Sequence, residues 1–155
     1  MAKATSPIPT GYHTLTPYLI VPDGHAAIAF YQQAFGATIG NLDTHPSGKF
    51  LNAELKIGTS HVMIGERELP PADHSQLPQV SLYMYLEDVD AVYASALAAG
   101  AIVVRPLADQ FYGNREGGIR DPFGIVWWLA SHIEDLTSEE IAERAAAHFS
   151  QPVAQ

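Results

Sequence analysis

Along the segment Val80 to Leu86, Ser81, Tyr83 and Tyr85 alternate with Val80, Leu82, Met84 and Leu86. Strand side chains point to opposite faces in turn, so this spacing predicts one apolar face and one bearing two phenols and a hydroxyl. A face of that kind can stack on a planar organic molecule and hydrogen-bond its polar edge. The competing reading is a packed sheet interface whose tyrosines are satisfied. Glu54 is the best-placed carboxylate. Leu51, Ala53 and Leu55 alternate around it, which puts Asn52 and Glu54 together on the other face of a strand. There Glu54 is the candidate acid-base residue, and a solvated sheet face is the alternative.

A second concentration of chemistry runs from Asp109 to His132, DQFYGNREGGIRDPFGIVWWLASH. Asn114 with Gly117 and Gly118 fits a tight reversal, Asp121-Pro122-Phe123-Gly124 a second turn, and Ile125 to Ala130 a buried strand. Phe111, Tyr112 and Arg115 then fall in a connection, where loops commonly carry specificity. Arg115 can grip an anion bidentately or pair with Glu116 or a nearby Asp. Trp128 sits in the strand run, and His132 shares its parity, so both are expected on one face.

The remaining composition excludes more than it assigns. The 7 histidines are scattered without H-x-x-x-H spacing, and there is no cysteine to serve as thiolate ligand, nucleophile or disulfide. No metal site and no cofactor are expected from such a set. A formal charge of -9 with only 8 Lys plus Arg repels a phosphate backbone, so nucleic acid is not an expected partner. No apolar run reaches the roughly 20 residues of a membrane helix, and the N-terminus lacks a signal-peptide core. With cysteines absent, these features predict a cytoplasmic protein with no membrane partner.

Elements that would position these residues read in a repeating order. Thr14 to Val21 reads as a strand ending at Pro22-Asp23-Gly24; Ile28, Tyr31 and Phe35 have helical spacing before Gly36; three strands follow over Ala37 to His45, Phe50 to Ile57 and Ser60 to Gly65. After a Pro-rich connection, Glu66 to Pro78, the order returns. Val80 to Leu86 is the strand, Asp88 the cap, and Val89, Val92, Tyr93, Ala96 and Leu97 the helix. Ala34-Phe35-Gly36-Ala37 aligns with Ala98-Ala99-Gly100-Ala101, which suggests a degenerate duplication. The expected organisation is an arm over 1–12 without chemistry, a domain over 13–133 built of modules 13–66 and 79–133, and a C-terminal helix and tail over 134–155. Thr137 and Glu140 have the spacing of a capping box for that helix.

DPFG followed by an apolar strand, with FYGNR upstream, resembles the glyoxalase/bleomycin-resistance/dioxygenase (vicinal oxygen chelate) superfamily, and its PhnB-like branch in particular. The resemblance implies an α+β fold in which two tandem βαβββ modules form curled mixed sheets around a cup. It also implies four metal-ligand positions, which fall on Thr16, near Met63, on Ser81 and on Trp128. None of these carries the His or Glu such a site uses.

The function expected is therefore that of a small-molecule binding protein of the glyoxalase/bleomycin-resistance type without the family metal. Its expected ligand-binding residues are Thr16, Glu54, Ser81, Tyr83, Tyr85, Phe111, Tyr112, Arg115, Trp128 and His132, its partner a small organic ligand, and its assembly a homodimer. The alternative is a lyase, isomerase or transferase of the same superfamily acting on a small organic substrate, metal-dependent or by acid-base catalysis through Glu54.

Overall fold

The computed structural model describes residues 7–68, 78 and 80–150. Most of the Pro-rich connection, with Pro70, Pro71 and His74, therefore lies outside the described residues, as do the first six residues of the arm and the last five of the tail. The chain forms two compact units, 1–73 and 74–155.

In the first unit, β1 (Tyr18–Val21) leads into α1 (Gly24–Phe35), followed by β2 (Thr38–Thr44), β3 (Phe50–Ile57) and β4 (Ser60–Glu66). The strands form one mixed sheet in the order β1-β4-β3-β2, with β1 parallel to β4 and the other pairs antiparallel. The second unit repeats this with β5 (Leu82–Tyr85), α2 (Val89–Ala98), β6 (Ile102–Asp109), β7 (Asn114–Arg120) and β8 (Val126–His132), in the order β5-β8-β7-β6. A last helix, α3 (Ser138–Phe149), follows. Among the described residues, two four-stranded mixed sheets and three helices make the α+β class that the resemblance implied.

Each unit's first helix is fastened in the same way. Asp23 Oδ1 accepts from Ala26 N at 2.9 Å and Asp88 Oδ1 from Ala91 N at 3.0 Å, so both N-caps are the residues the spacing picked out. The last strand supplies a further acceptor: Glu66 Oε2 takes the Gly24 amide at 2.9 Å, and Ser131 Oγ takes the Val89 amide at 3.0 Å. Gly36, at φ 65°, ends α1 in the left-handed region that a side chain would strain. Ile28 and Tyr31 of α1, and Val89, Tyr93 and Ala96 of α2, are buried with the inward faces of β3, β4 and β8. Full burial of a large apolar side chain contributes about 1.5–3 kcal/mol, so these stripes hold each helix on its own sheet.

Three expectations change. The strand over Thr14 to Val21 begins only at Tyr18, directly after Pro17, which has no N–H to give a ladder. The strand over Val80 to Leu86 shortens to Leu82–Tyr85 because its parallel partner starts at Val126 and offers Trp127 opposite Leu82. The reversal assigned to Asn114, Gly117 and Gly118 is instead the whole of strand β7, and the chain turns earlier, at Gly113, where φ is 84°. Gly117 and Gly118 are there for close approach. A Cβ at Gly117 would stand 2.7 Å from Tyr93 Cε2 of α2, and one at Gly118 2.6 Å from Trp128 Cζ3 on the other face.

Candidate functional site

Because β7 is a strand, its side chains alternate, and Asn114, Glu116 and Gly118 share the face of β8 that carries Trp128 and His132. Tyr83 stands opposite Trp128 on the adjoining strand. Tyr83, Tyr85, Arg105, Tyr112, Asn114, Glu116 and Trp128 line a cleft of about 440 Å³. Glu116 is its buried centre, 4% exposed. Its carboxylate accepts a short hydrogen bond from the Tyr83 hydroxyl, another from Tyr112 Oη at 3.0 Å, and is paired with Arg105 Nη2. Asn114 Nδ2 donates to Tyr83 Oη at 3.1 Å and to Tyr85 Oη at 3.5 Å, while Asn114 Oδ1 lies 3.0 Å from His132 Nδ1. Burial, more than its neighbours, pushes the Tyr83 phenol up, so it stays a donor to Glu116 at neutral pH.

The aromatic face expected of Ser81, Tyr83 and Tyr85 is present: all three are exposed, while Leu82, Met84 and Leu86 on the other face are half-buried. Trp128 Nε1 donates to Ser81 Oγ at 3.1 Å, which holds the indole over β7. Trp127, one residue earlier, is buried on the opposite face and donates from Nε1 to Asp121 Oδ2 at 3.0 Å.

Two of the residues singled out in the connection belong elsewhere. Arg115 lies on the face of β7 away from Glu116, gripped by Asp90 through Nε and Nη2 at 2.7 Å each and by Asp109 through Nη1 at 2.9 Å. Those two carboxylates raise its pKa further, so of the two alternatives read for Arg115 the pairing with nearby Asp residues is the one present. Phe111 packs against Tyr112 and against His148 and Phe149 of α3, with ring centres 5.1, 5.2 and 5.8 Å away. It is where the C-terminal helix docks. Arg105, Asn114 and Glu116 line the cleft without having been expected there. Glu116 was legible by alternation once Asn114–Arg120 is taken as a strand, whereas nothing local marks Arg105 on β6.

Thr16 and Glu54 line a cleft in the first unit, about 410 Å³, with Met63, His13, Thr14 and Pro7, Ile8, Pro9 and Tyr12 of the arm. The arm was expected to carry no chemistry. Instead Tyr12 Oη donates to Glu54 Oε2 at 2.6 Å, and the Tyr12 ring stacks on His61 with centres 4.2 Å apart. The hydrogen bond to Glu54, with burial and the carboxylate's charge, pushes the Tyr12 phenol up to about 12.

A model of the glyoxalase/bleomycin resistance protein/dioxygenase superfamily matches residues 12–129, most of the chain. The chain belongs to this superfamily. An uncharacterised protein of Mycobacterium bovis is 36% identical over 135 residues, covering 82% of this chain and 88% of that protein. The superfamily fold is seen again in a solved Arabidopsis thaliana structure, 28% identical with a TM-score of 0.60, covering 77% of this chain and 99% of that one. The PhnB protein from Bacillus cereus shares the fold at 17% identity and a TM-score of 0.60, covering 77% of this chain and 99% of that one.

The superfamily's metal positions do not fit a divalent cation in this chain. Thr16 and Met63 in the first unit, and Ser81 and Trp128 in the second, offer hydroxyls, a thioether and an indole, and the Trp128 N–H is spent on Ser81. Among the described residues no cluster of His, Asp and Glu is gathered in the way a metal site requires. No described helix is long and apolar enough to cross a membrane.

Proposed function

We propose that the protein binds a small organic ligand in the second unit's cleft, as a metal-independent binding protein of the glyoxalase/bleomycin-resistance type. The observation that carries this reading is one cleft lined by the Trp128 indole, three tyrosines and a buried, fully partnered Glu116. Rigid aromatic walls supply stacking area at low entropic cost, and a few fixed polar groups orient what is stacked. The reading includes a homodimer, since α3 places Ala145 and Phe149 on a helix with no buried residue of its own, and a cytoplasmic location. Planar organic ligands should quench Trp128 fluorescence. Trp128→Leu should abolish that quenching, while Trp127→Leu should keep it at a cost of about 2–4 kcal/mol in core packing. Ligand affinity unchanged in Trp128→Leu and Tyr85→Ala would refute the site.

A second reading, isomerase or lyase chemistry at Glu54, is favoured by the proton held between Glu54 and Tyr12. It requires the arm to give up its hold on the carboxylate before a substrate proton can take its place. Turnover of any substrate lost in Glu54→Gln and raised in Tyr12→Phe would favour this reading over simple binding.

A further inference from the structure

We infer that the second unit's cleft selects a planar organic cation, and that Arg105 holds that cation's seat in the free protein; the inference rests on the cleft being the ligand site. The guanidinium is itself a planar cation, with Cζ 4.7 Å from the centre of the Trp128 ring and Nη2 paired with Glu116. The ring quadrupole attracts a cation over its face, and a carboxylate at the cation's edge adds a charge-assisted partner.

Two observations make Arg105 a replaceable occupant. Its Nε is buried and has no hydrogen-bond partner among the described residues, so the seated guanidinium keeps a donor unsatisfied that release would return to water. Its side chain is 40% exposed against 5% for Glu116, so the arginine can swing outward while the carboxylate, held by Tyr83 and Tyr112, stays. With Arg105 displaced, Glu116 is the one charged group among the residues lining the cleft. The emptied seat then favours a cation over a neutral ring and opposes an anion. Arg115 does not reverse that sign, because Asp90 and Asp109 already hold it on the other face of β7.

Benzamidine, benzamide and benzoate are nearly isosteric, planar, and cationic, neutral and anionic at neutral pH. Their binding to the full chain, followed by calorimetry and by Trp128 fluorescence, reads the sign directly. Benzamidine should bind about tenfold more tightly than benzamide, and benzoate least well. Arg105→Gln, which leaves an amide donor for Glu116, should tighten benzamidine about tenfold further while moving benzamide less than about twofold. Glu116→Gln should erase the difference between the two. If Arg105→Gln does not fold, Arg105→Lys, which gives up the planar contact with Trp128, should still tighten benzamidine. Benzoate binding best, or benzamidine weakened by either Arg105 variant, would overturn the inference. Binding that ignores charge sinks the cation assignment and leaves the ligand site standing. Silence of all three probes, together with planar ligands indifferent to Trp128→Leu, sinks both.

Discussion

Position for position the two units share one pairing frame. Tyr18 lies opposite Met63 in the first and Tyr83 opposite Trp128 in the second; Glu54 faces Met63 where Gly118 faces Trp128; Asn52 faces Gly65 where Glu116 faces Ala130. The frame is the same and its contents are exchanged. In the first unit the carboxylate sits directly beside the flexible thioether of Met63, and a phenol from the arm covers it. In the second that strand position is glycine, the space goes to an indole, and the carboxylate moves two residues along the strand to Glu116. Cleft chemistry in this fold therefore depends on which of two neighbouring, same-face positions carries the side chain, and the backbone is indifferent to the choice.

The two units differ at the hairpin joining their last two strands. In the first unit that turn is Gly58-Thr59, with Gly58 at φ 56° and nothing else required. In the second it depends on buried Asp121, which accepts from the Phe123 and Ile125 amides at 3.0 and 2.9 Å and from Trp127 Nε1 at 3.0 Å. Asp121→Ala strands three donors, and at about 1 kcal/mol each the loss should be about 3 kcal/mol in chemical denaturation. Thr59→Ala, by contrast, should change stability by less than about 0.5 kcal/mol. Equal losses would mean the two hairpins are not built differently after all.

A smaller effect is expected from giving the second unit a side chain where the first has one. Gly118→Val puts a methyl-bearing carbon 2.6 Å from Trp128 Cζ3, and overpacking of this kind costs about 1–3 kcal/mol. Trp128 should leave Ser81, shift its emission to the red and lose ligand quenching. An unchanged emission spectrum would show that Trp128 does not rest on β7.

The smallest expected effect is a pH window in the first unit. Tyr12 ionises at about 12 in the folded chain against 10.0 ordinarily, so its contribution is fully present below pH 10 and lost as pH rises through the folded value. Tyr12→Phe should remove this pH dependence between 10 and 12 while leaving stability at pH 7 within about 1 kcal/mol. Differential titration of the two proteins by phenolate absorbance is the check, and identical curves would detach Tyr12 from Glu54.

The element order and the three helix N-caps, Asp23, Asp88 and Thr137, were legible because hydrophobic periodicity and cap spacing are local signals. Gly117-Gly118 misled for a physical reason: glycine marks either a backbone bend or a place where another group approaches the chain, and only the packing of Tyr93 and Trp128 tells which. That one misreading turned β7 into a loop and hid the alternation that separates Glu116 from Arg115. Tyr83, Tyr85 and Trp128 could be placed from parity alone. Arg105 and Tyr12 could not, since each reaches its carboxylate from a strand or arm that sequence distance does not connect to it.

The parallel pairing of each unit's first strand with its last carries a consequence for how the protein is made. On the ribosome, β5 emerges long before β8, and Tyr83 has no strand to lie against until Trp128 has been translated. Closing that long loop is the slow, non-local step in a unit otherwise built of hairpins. Until then the unpaired edge of β5, with two exposed tyrosines, is an open template for other chains. A nascent chain arrested before residue 126 would present that edge, while the first unit, whose own last strand ends at Glu66, has already closed.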